Sequence, residues 1–126
     1  MKSKTCFLIL VSFIMFFSGC VGSSPSKTVK EFYSAIDHGN ISKATGLFSN
    51  RVIQTFGLSK LQQTIEFQLK AVENSGGIDS IEIIDEQIFG DTALVNIEVT
   101  YGNGNVIRED VQLVKEDGNW KIDISK

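Results

Sequence analysis

Thr92-Ala93-Leu94-Val95-Asn96-Ile97-Glu98-Val99-Thr100-Tyr101 is the stretch that decides the fold. Ala93, Val95, Ile97, Val99 and Tyr101 alternate with Thr92, Leu94, Asn96, Glu98 and Thr100. A period of two with apolar residues on one phase describes an antiparallel strand with one face on a core and one in water. The alternation also sets which way each side chain points, because a one-residue slip would move the whole apolar set to the wrong face.

Turn signals bound this strand on both sides. Gly90-Asp91 precedes it, and Gly102-Asn103-Gly104-Asn105 follows it. Further on, Ile107, Val111 and Leu113 carry a third strand. Glu116-Asp117-Gly118-Asn119 makes the next turn, in which Asp117-Gly118 is a strong hairpin signal. Trp120, Ile122 and Ile124 carry the last strand. Upstream, Ile81 and Ile83 share one phase and Ile84 and Ile88 the other. That flip predicts a β-bulge near Ile83-Ile84, since one extra residue exchanges the two faces.

Before Ile78 the period is helical. Ser24 and Pro25 form a capping residue followed by a proline at the first helical position. Val29, Phe32, Tyr33 and Ile36 then mark an apolar face, and Gly39 ends the helix. Asn40 caps a shorter helix whose inner face is Ile41, Ala44, Leu47 and Phe48. Arg51 to Gly57 reads as a helical turn or a loop. Ser59 with Gln62 forms a capping-box pattern, opening a helix with Leu61, Ile65, Leu69 and Val72 on its stripe and Phe67 off it. Ser75-Gly76-Gly77 closes this helix. The expected fold is α+β, with N-terminal helices packed on one face of a curved four-stranded antiparallel sheet.

The first twenty residues carry an address. Met1-Lys2-Ser3-Lys4 is a basic start, Phe7 to Phe17 is apolar, and Phe17-Ser18-Gly19-Cys20 resembles a lipobox. The run is shorter than the roughly 20 residues a spanning helix needs. The resemblance implies cleavage before Cys20 and lipid on that cysteine; ordinary signal cleavage without lipid is the alternative. On this reading residues 1–19 are the signal peptide, 20–24 the lipidated cysteine and tether, and 25–126 the folded domain. The domain would face the periplasm or the cell exterior from a cell membrane or outer membrane.

Cys6 and Cys20 are the two cysteines of the chain, so the exported domain has no thiol for a disulfide, a metal site or nucleophilic catalysis. Of twelve basic side chains Lys2 and Lys4 leave with the signal, and ten then face fifteen acidic ones. A domain so charged is not expected to bind nucleic acid or anionic lipid by charge. With one histidine and no free thiol, no metal-ligand set is visible, and no cofactor motif is present.

The helix-then-sheet order, Phe32-Tyr33-Ser34-Ala35 in the first helix, and Glu116-Asp117-Gly118-Asn119-Trp120-Lys121-Ile122 at the end resemble the NTF2-like superfamily, whose fold is cystatin-like. More narrowly, they resemble small bacterial lipoproteins with a DUF4878-type domain. The resemblance covers nearly all of residues 25–124. It implies a cone between helices and sheet that serves binding in some members and isomerase, dehydratase or cyclase chemistry in others.

No catalytic set is evident. Tyr33, Phe67, Tyr101, Glu109 and Trp120 are the candidate pocket-lining residues. Glu109 shares the phase of Ile107 and Val111. It therefore looks inward unless a bulge or an edge position returns it to solvent. Trp120 closes the core, or else forms a pocket wall or interface anchor. Tyr33 and Tyr101 are core bodies with a wet hydroxyl, or hydroxyls directed into the pocket. His38 and Asp37 sit at a helix end, where capping or surface roles suit them. The expected partners are the membrane through Cys20, and a small apolar ligand or an envelope protein. The polar outward phase of the Thr92–Tyr101 strand is expected to keep the chain a monomer or weak homodimer.

Overall fold

The computed structural model describes residues 23–124. The expected export signal, Cys20 and the start of the expected tether lie outside the described residues. The elements run α1 (Pro25–Asp37), α2 (Ile41–Gly46), α3 (Asn50–Phe56), α4 (Leu58–Asn74), β1 (Ile78–Phe89), β2 (Thr92–Tyr101), β3 (Val106–Glu116) and β4 (Asn119–Asp123). The strands form one antiparallel sheet in the order β1-β2-β3-β4, open rather than closed into a barrel. Helix α1 lies on the sheet, touching β1, β2 and β4, and α4 packs on α1, α2 and α3. No described helix is long and apolar enough to cross a membrane.

Local chemistry sets most boundaries. The Ser24 side chain accepts the Lys27 N–H at 3.1 Å, and Pro25 opens α1. Val29, Phe32, Tyr33 and Ile36 are all buried, as their spacing requires. The far end of α1 is tied to the sheet by Asp37, whose Oδ1 accepts the Ile78 N–H at 3.0 Å. His38 is the C-cap residue, its Nδ1 2.7 Å from the Ser34 carbonyl oxygen. At the N-terminal end the Glu86 carboxylate accepts from the Ser26 N–H and hydroxyl. A carboxylate there also suits the positive end of the helix dipole.

Ala93, Val95, Ile97 and Val99 are all buried, so the inward phase of β2 is the centre of the core. Burying each of the larger ones is worth about 1.5–3 kcal/mol relative to exposure. The β1–β2 register shifts between Ile83 and Asp85, leaving Ile84 as the bulged residue. This is the bulge that the phase flip requires. Asp117 and Gly118 both take positive φ, 50° and 79°, as the mirror-image turn of a two-residue hairpin demands.

Four local readings change. Arg51–Gly57, ambiguous in sequence, is mostly helix: α3 is capped by Ser49, whose hydroxyl oxygen accepts the Val52 N–H at 3.2 Å. The Ser59–Gln62 capping box does not form. Gly57, at φ 81° and ψ 145°, ends α3 and starts α4 in one residue, so Ser59 already lies inside the first turn. Leu47 and Phe48 lie beyond α2 rather than on it. They lead into a parallel bridge of Phe48 with Ile122, in which Ser49 N–H donates to the Ile122 carbonyl and Ile122 N–H to the Leu47 carbonyl, both at 2.8 Å. That bridge covers the outer edge of β4. Finally, β4 ends at Asp123, and Ile124 falls outside it with its carbonyl accepting from Arg51 Nη2 at 3.2 Å.

Candidate functional site

β4 is short, and its shortness makes the site. It pairs with β3 only from Gln112 to Glu116. Past that point α1, the Phe48 segment, β3 and the end of β4 surround a cleft of about 490 Å³. Ligand pockets are typically about 300–1,000 Å³. Its walls include Val29, Phe32, Phe48, Val111 and Ile122, with Tyr33 and Glu109 as the central polar pair. Phe32 meets Tyr33 edge-on at 5.5 Å and Phe48 edge-on at 5.4 Å. Edge-to-face packing of this kind holds aromatic rings in fixed orientations.

Tyr33 is 3% exposed, yet its hydroxyl reaches the β3 edge and donates to Glu109 Oε2. Burial first, then the Glu109 hydrogen bond and negative charge, push the Tyr33 phenol well above its ordinary value. It is therefore held as a neutral donor. Tyr101 is also pushed up, by burial and by the Glu109 charge, which places it within electrostatic reach of the pair.

Glu109 resolves both sides of its sequence reading. It lies opposite Ile97 on the inward phase, but it is exposed because β4 stops before reaching it. The structure thus joins Tyr33 and Glu109 directly, while Tyr101 lies outside the cleft lining. Phe67 stands apart, 78% exposed on α4 and outside the cleft lining. Being off the helix stripe turns it to solvent. Trp120 is buried in the core, with Lys115 Nζ 5.7 Å from its ring centroid and its carbonyl accepting the Thr28 hydroxyl at 3.1 Å. It too lies outside the cleft lining. His38 and Asp37 border a separate hollow of about 330 Å³ between α1 and the start of β1.

A second polar cluster gathers at the end of β4 around Asp123, which also lines the cleft. Asp123 Oδ1 accepts the hydroxyl of the fully buried Ser49 at 2.8 Å, and Asp123 pairs with Arg51. Burial pushes the Asp123 carboxyl up, but the hydrogen bonds from Arg51 and Ser49 and the Arg51 charge outweigh it and hold the group below its ordinary value. Among the described residues no group of three or more His, Cys, Asp or Glu side chains gathers to hold a metal ion.

Sequence reasoning missed Phe48, Val111 and Ile122 as cleft walls. Their apolar character was legible, but core and cleft differ only by where β4 ends, and no residue pattern marks that.

Helices on one face of an open antiparallel sheet, in the order seen here, have the NTF2-like fold. A family model described as a domain of unknown function, DUF4878, matches residues 18–123, and the chain belongs to that family. Among solved structures, it resembles a Campylobacter jejuni protein provisionally described as an NTF2-like transpeptidase. The two share 23% identity over 79% of this chain and 97% of that one, with a TM-score of 0.70. It also resembles a SEC-C motif containing protein from Rhodopseudomonas palustris, at 14% identity over 79% of this chain and 74% of that one, TM-score 0.57. A de novo designed protein with a curved β-sheet matches at 19% identity, 76% and 78% coverage and TM-score 0.51. Identities this low show a shared fold alone. None of the curated proteins matches the sequence.

Proposed function

We propose that this chain is an exported, lipid-anchored binding module of the cell envelope whose working surface is the cleft beside Tyr33 and Glu109. The observation that carries the reading is the Tyr33–Glu109 hydrogen bond in a cleft that joins apolar walls to further polar side chains at Gln68, Asp110, Gln112 and Asp123. One oxygen of the carboxylate is held by a neutral phenol, and the other is open to a guest. A ligand with an apolar body and a hydrogen-bond donor or cation fits this arrangement. Apolar walls with a few fixed polar groups are the usual make-up of binding sites.

The anchoring part rests on Phe17-Ser18-Gly19-Cys20 and its basic and apolar lead. Cells grown with an alkyne-tagged fatty acid should label the wild-type chain and leave Cys20→Ser unlabelled. Equal labelling of both would remove the anchor. The binding part is tested on the full chain in a nonionic detergent, by native mass spectrometry and by a fragment screen read in NMR spectra. Expected is an adduct or fragment that moves the resonances of Tyr33, Phe48, Glu109 and Val111. A bare mass and an unmoved cleft would reject the reading. The outward face of β2 is mostly polar, and its Glu98 pairs with Arg108 at 2.9 Å. A monomer or weak dimer is therefore the expected assembly, and a tight dimer in sedimentation would overturn it.

The meeting of Tyr33 and Glu109 also favours a second reading, an isomerase-, dehydratase- or cyclase-type enzyme. Glu109 would be the base, with Tyr33 orienting its carboxylate through the hydrogen bond they share. A turnover that Glu109→Gln abolishes while leaving ligand affinity intact would select this reading over binding alone.

A further inference from the structure

The strand that bounds the cleft is unfinished. The β2–β3 register runs without a break from Thr92↔Val114 to Thr100↔Val106, but β4 covers β3 only from Gln112 onward. From Val106 to Val111, no described strand pairs with β3 on the β4 side. The hydrogen-bond alternation says which groups are left over. Tyr101 N–H donates to the Asn105 carbonyl at 2.9 Å, and Lys115 N–H to the Asp91 carbonyl at 2.7 Å. Residues two apart in an antiparallel strand turn their backbone groups the same way. The odd-numbered residues of β3 therefore bond β2. The even-numbered ones, Val106, Arg108 and Asp110, direct their N–H and C=O outward from the sheet edge.

A second observation concerns protection. Exposed edges are normally blunted by bulges, charges or cover. The β1 edge has two register irregularities and carries Asp79, Glu82, Asp85 and Glu86. The outer edge of β4 is covered by the Phe48 bridge. The β3 segment also carries charge, at Arg108, Glu109 and Asp110, but its register is unbroken and no described element covers it, and it presents Val106 at 54% and Ile107 at 44% exposure. Charge gives the third observation. Glu109 and Asp110 are exposed at this edge, and neither has a cationic partner among the described residues.

We propose that the β3 edge from Val106 to Val111 binds an extended segment of a partner protein as an added strand, continuing the line of β4 and laying its inward side chains into the cleft. Main-chain bonds to Val106, Arg108 and Asp110 supply the docking, and side-chain pockets supply the choice of sequence. The chain's own Ile124 follows Asp123 and lines the cleft beside Val111, so the guest meets β3 at Ile107 and Glu109. The guest residue opposite Glu109 is lysine or arginine, and the one opposite Ile107 is apolar. The recognised pattern is therefore basic, any, apolar. This rests on the reading of the cleft as a binding site and names its partner.

The test is selection of a random octapeptide library on the full chain in nonionic detergent, followed by amide hydrogen exchange with the best binder. Expected are peptides enriched in a basic residue followed two positions on by an apolar one, and exchange at the Arg108 and Asp110 amides slowed at least tenfold. Asp110→Pro removes an outward N–H without touching the β2 ladder and should weaken binding at least tenfold. Val106→Pro, at the first residue of the strand, makes the same point should Asp110→Pro misfold. Binders that leave those amides exchanging freely, undiminished binding to both proline variants, or an empty selection each overturn the proposal. An empty selection with a small molecule still seated in the cleft removes the added strand and spares the cleft reading; a cleft that nothing enters removes both.

Discussion

Gly102→Ala is the sharpest test of how this fold is assembled. The turn after α4 and the turn between β2 and β3 touch backbone to backbone. A Cβ on Gly102 would stand 2.2 Å from the Gly76 carbonyl oxygen and 2.8 Å from its carbon. Neither atom belongs to a flexible side chain, so the two turns must separate by about 1 Å to restore ordinary contact. Separation strains the bonds that join them, Gly102 N–H to the Gly77 carbonyl and Asn103 N–H to the Ser75 carbonyl, both 2.9 Å. Two weakened hydrogen bonds at about 0.5–1.5 kcal/mol each, with about 1–3 kcal/mol for overpacking, give a loss near 2–6 kcal/mol. For a domain of this size that lowers Tm by about 10–30 °C. Urea denaturation followed by Trp120 fluorescence measures it. Gly46→Ala is the control, because nothing lies within 4 Å of a Cβ there. It should be neutral or slightly stabilising, as alanine is the better helix former. If Gly102→Ala matches the wild type to within about 0.5 kcal/mol, the size of ordinary surface substitutions, the direct contact of the two turns is wrong.

Gly57→Ala should cost about 1–3 kcal/mol in the same denaturation assay, because φ 81° with ψ 145° is a region that side chains strain to enter; a neutral result would contradict the shared α3–α4 cap. Tyr33→Phe should cost about 1–2 kcal/mol near neutral pH, where the wild-type phenol donates to a carboxylate. Because folding raises the Tyr33 phenol above its ordinary value, its contribution is intact below about pH 10 and is lost as pH climbs beyond that. Tyr33→Phe should flatten this alkaline limb, and an unchanged limb would place the titration elsewhere. Asp123 works in the opposite sense: its carboxyl is lowered by folding, so its contribution is present above the ordinary aspartate range and lost as pH falls through its lowered value. Asp123→Asn should therefore reduce acid sensitivity below about pH 4, and an acid limb as steep as in the wild type would count against the Arg51–Ser49 clamp. Phe67→Ser should change stability by less than about 0.5 kcal/mol, since the ring is already in solvent; a larger loss would show that the ring is covered.

What the sequence determined by itself is whatever depends on a residue and its near neighbours. The alternation from Thr92 to Tyr101 dictates a half-buried strand, the flip at Ile83-Ile84 dictates a bulge, and Asp117-Gly118 dictates a tight hairpin. Ser24-Pro25 starts α1 because capping needs only the next turn of chain. Turn chemistry and periodicity are short-range properties, and they carry the order of elements and the phase of each strand. The tertiary structure decided what depends on where a distant element stops. Glu109 was inward by phase and solvent-exposed by position, and only the end of β4 at Asp123 allows both. Tyr33 meets it across 76 positions of sequence because α1 lies over the sheet. The Phe48–Ile122 bridge and the Gly76–Gly102 contact likewise join segments with no local signal for each other. A strand's face is set by its own pattern, whereas its exposure is set by its neighbour's length, and the candidate site lies in that difference.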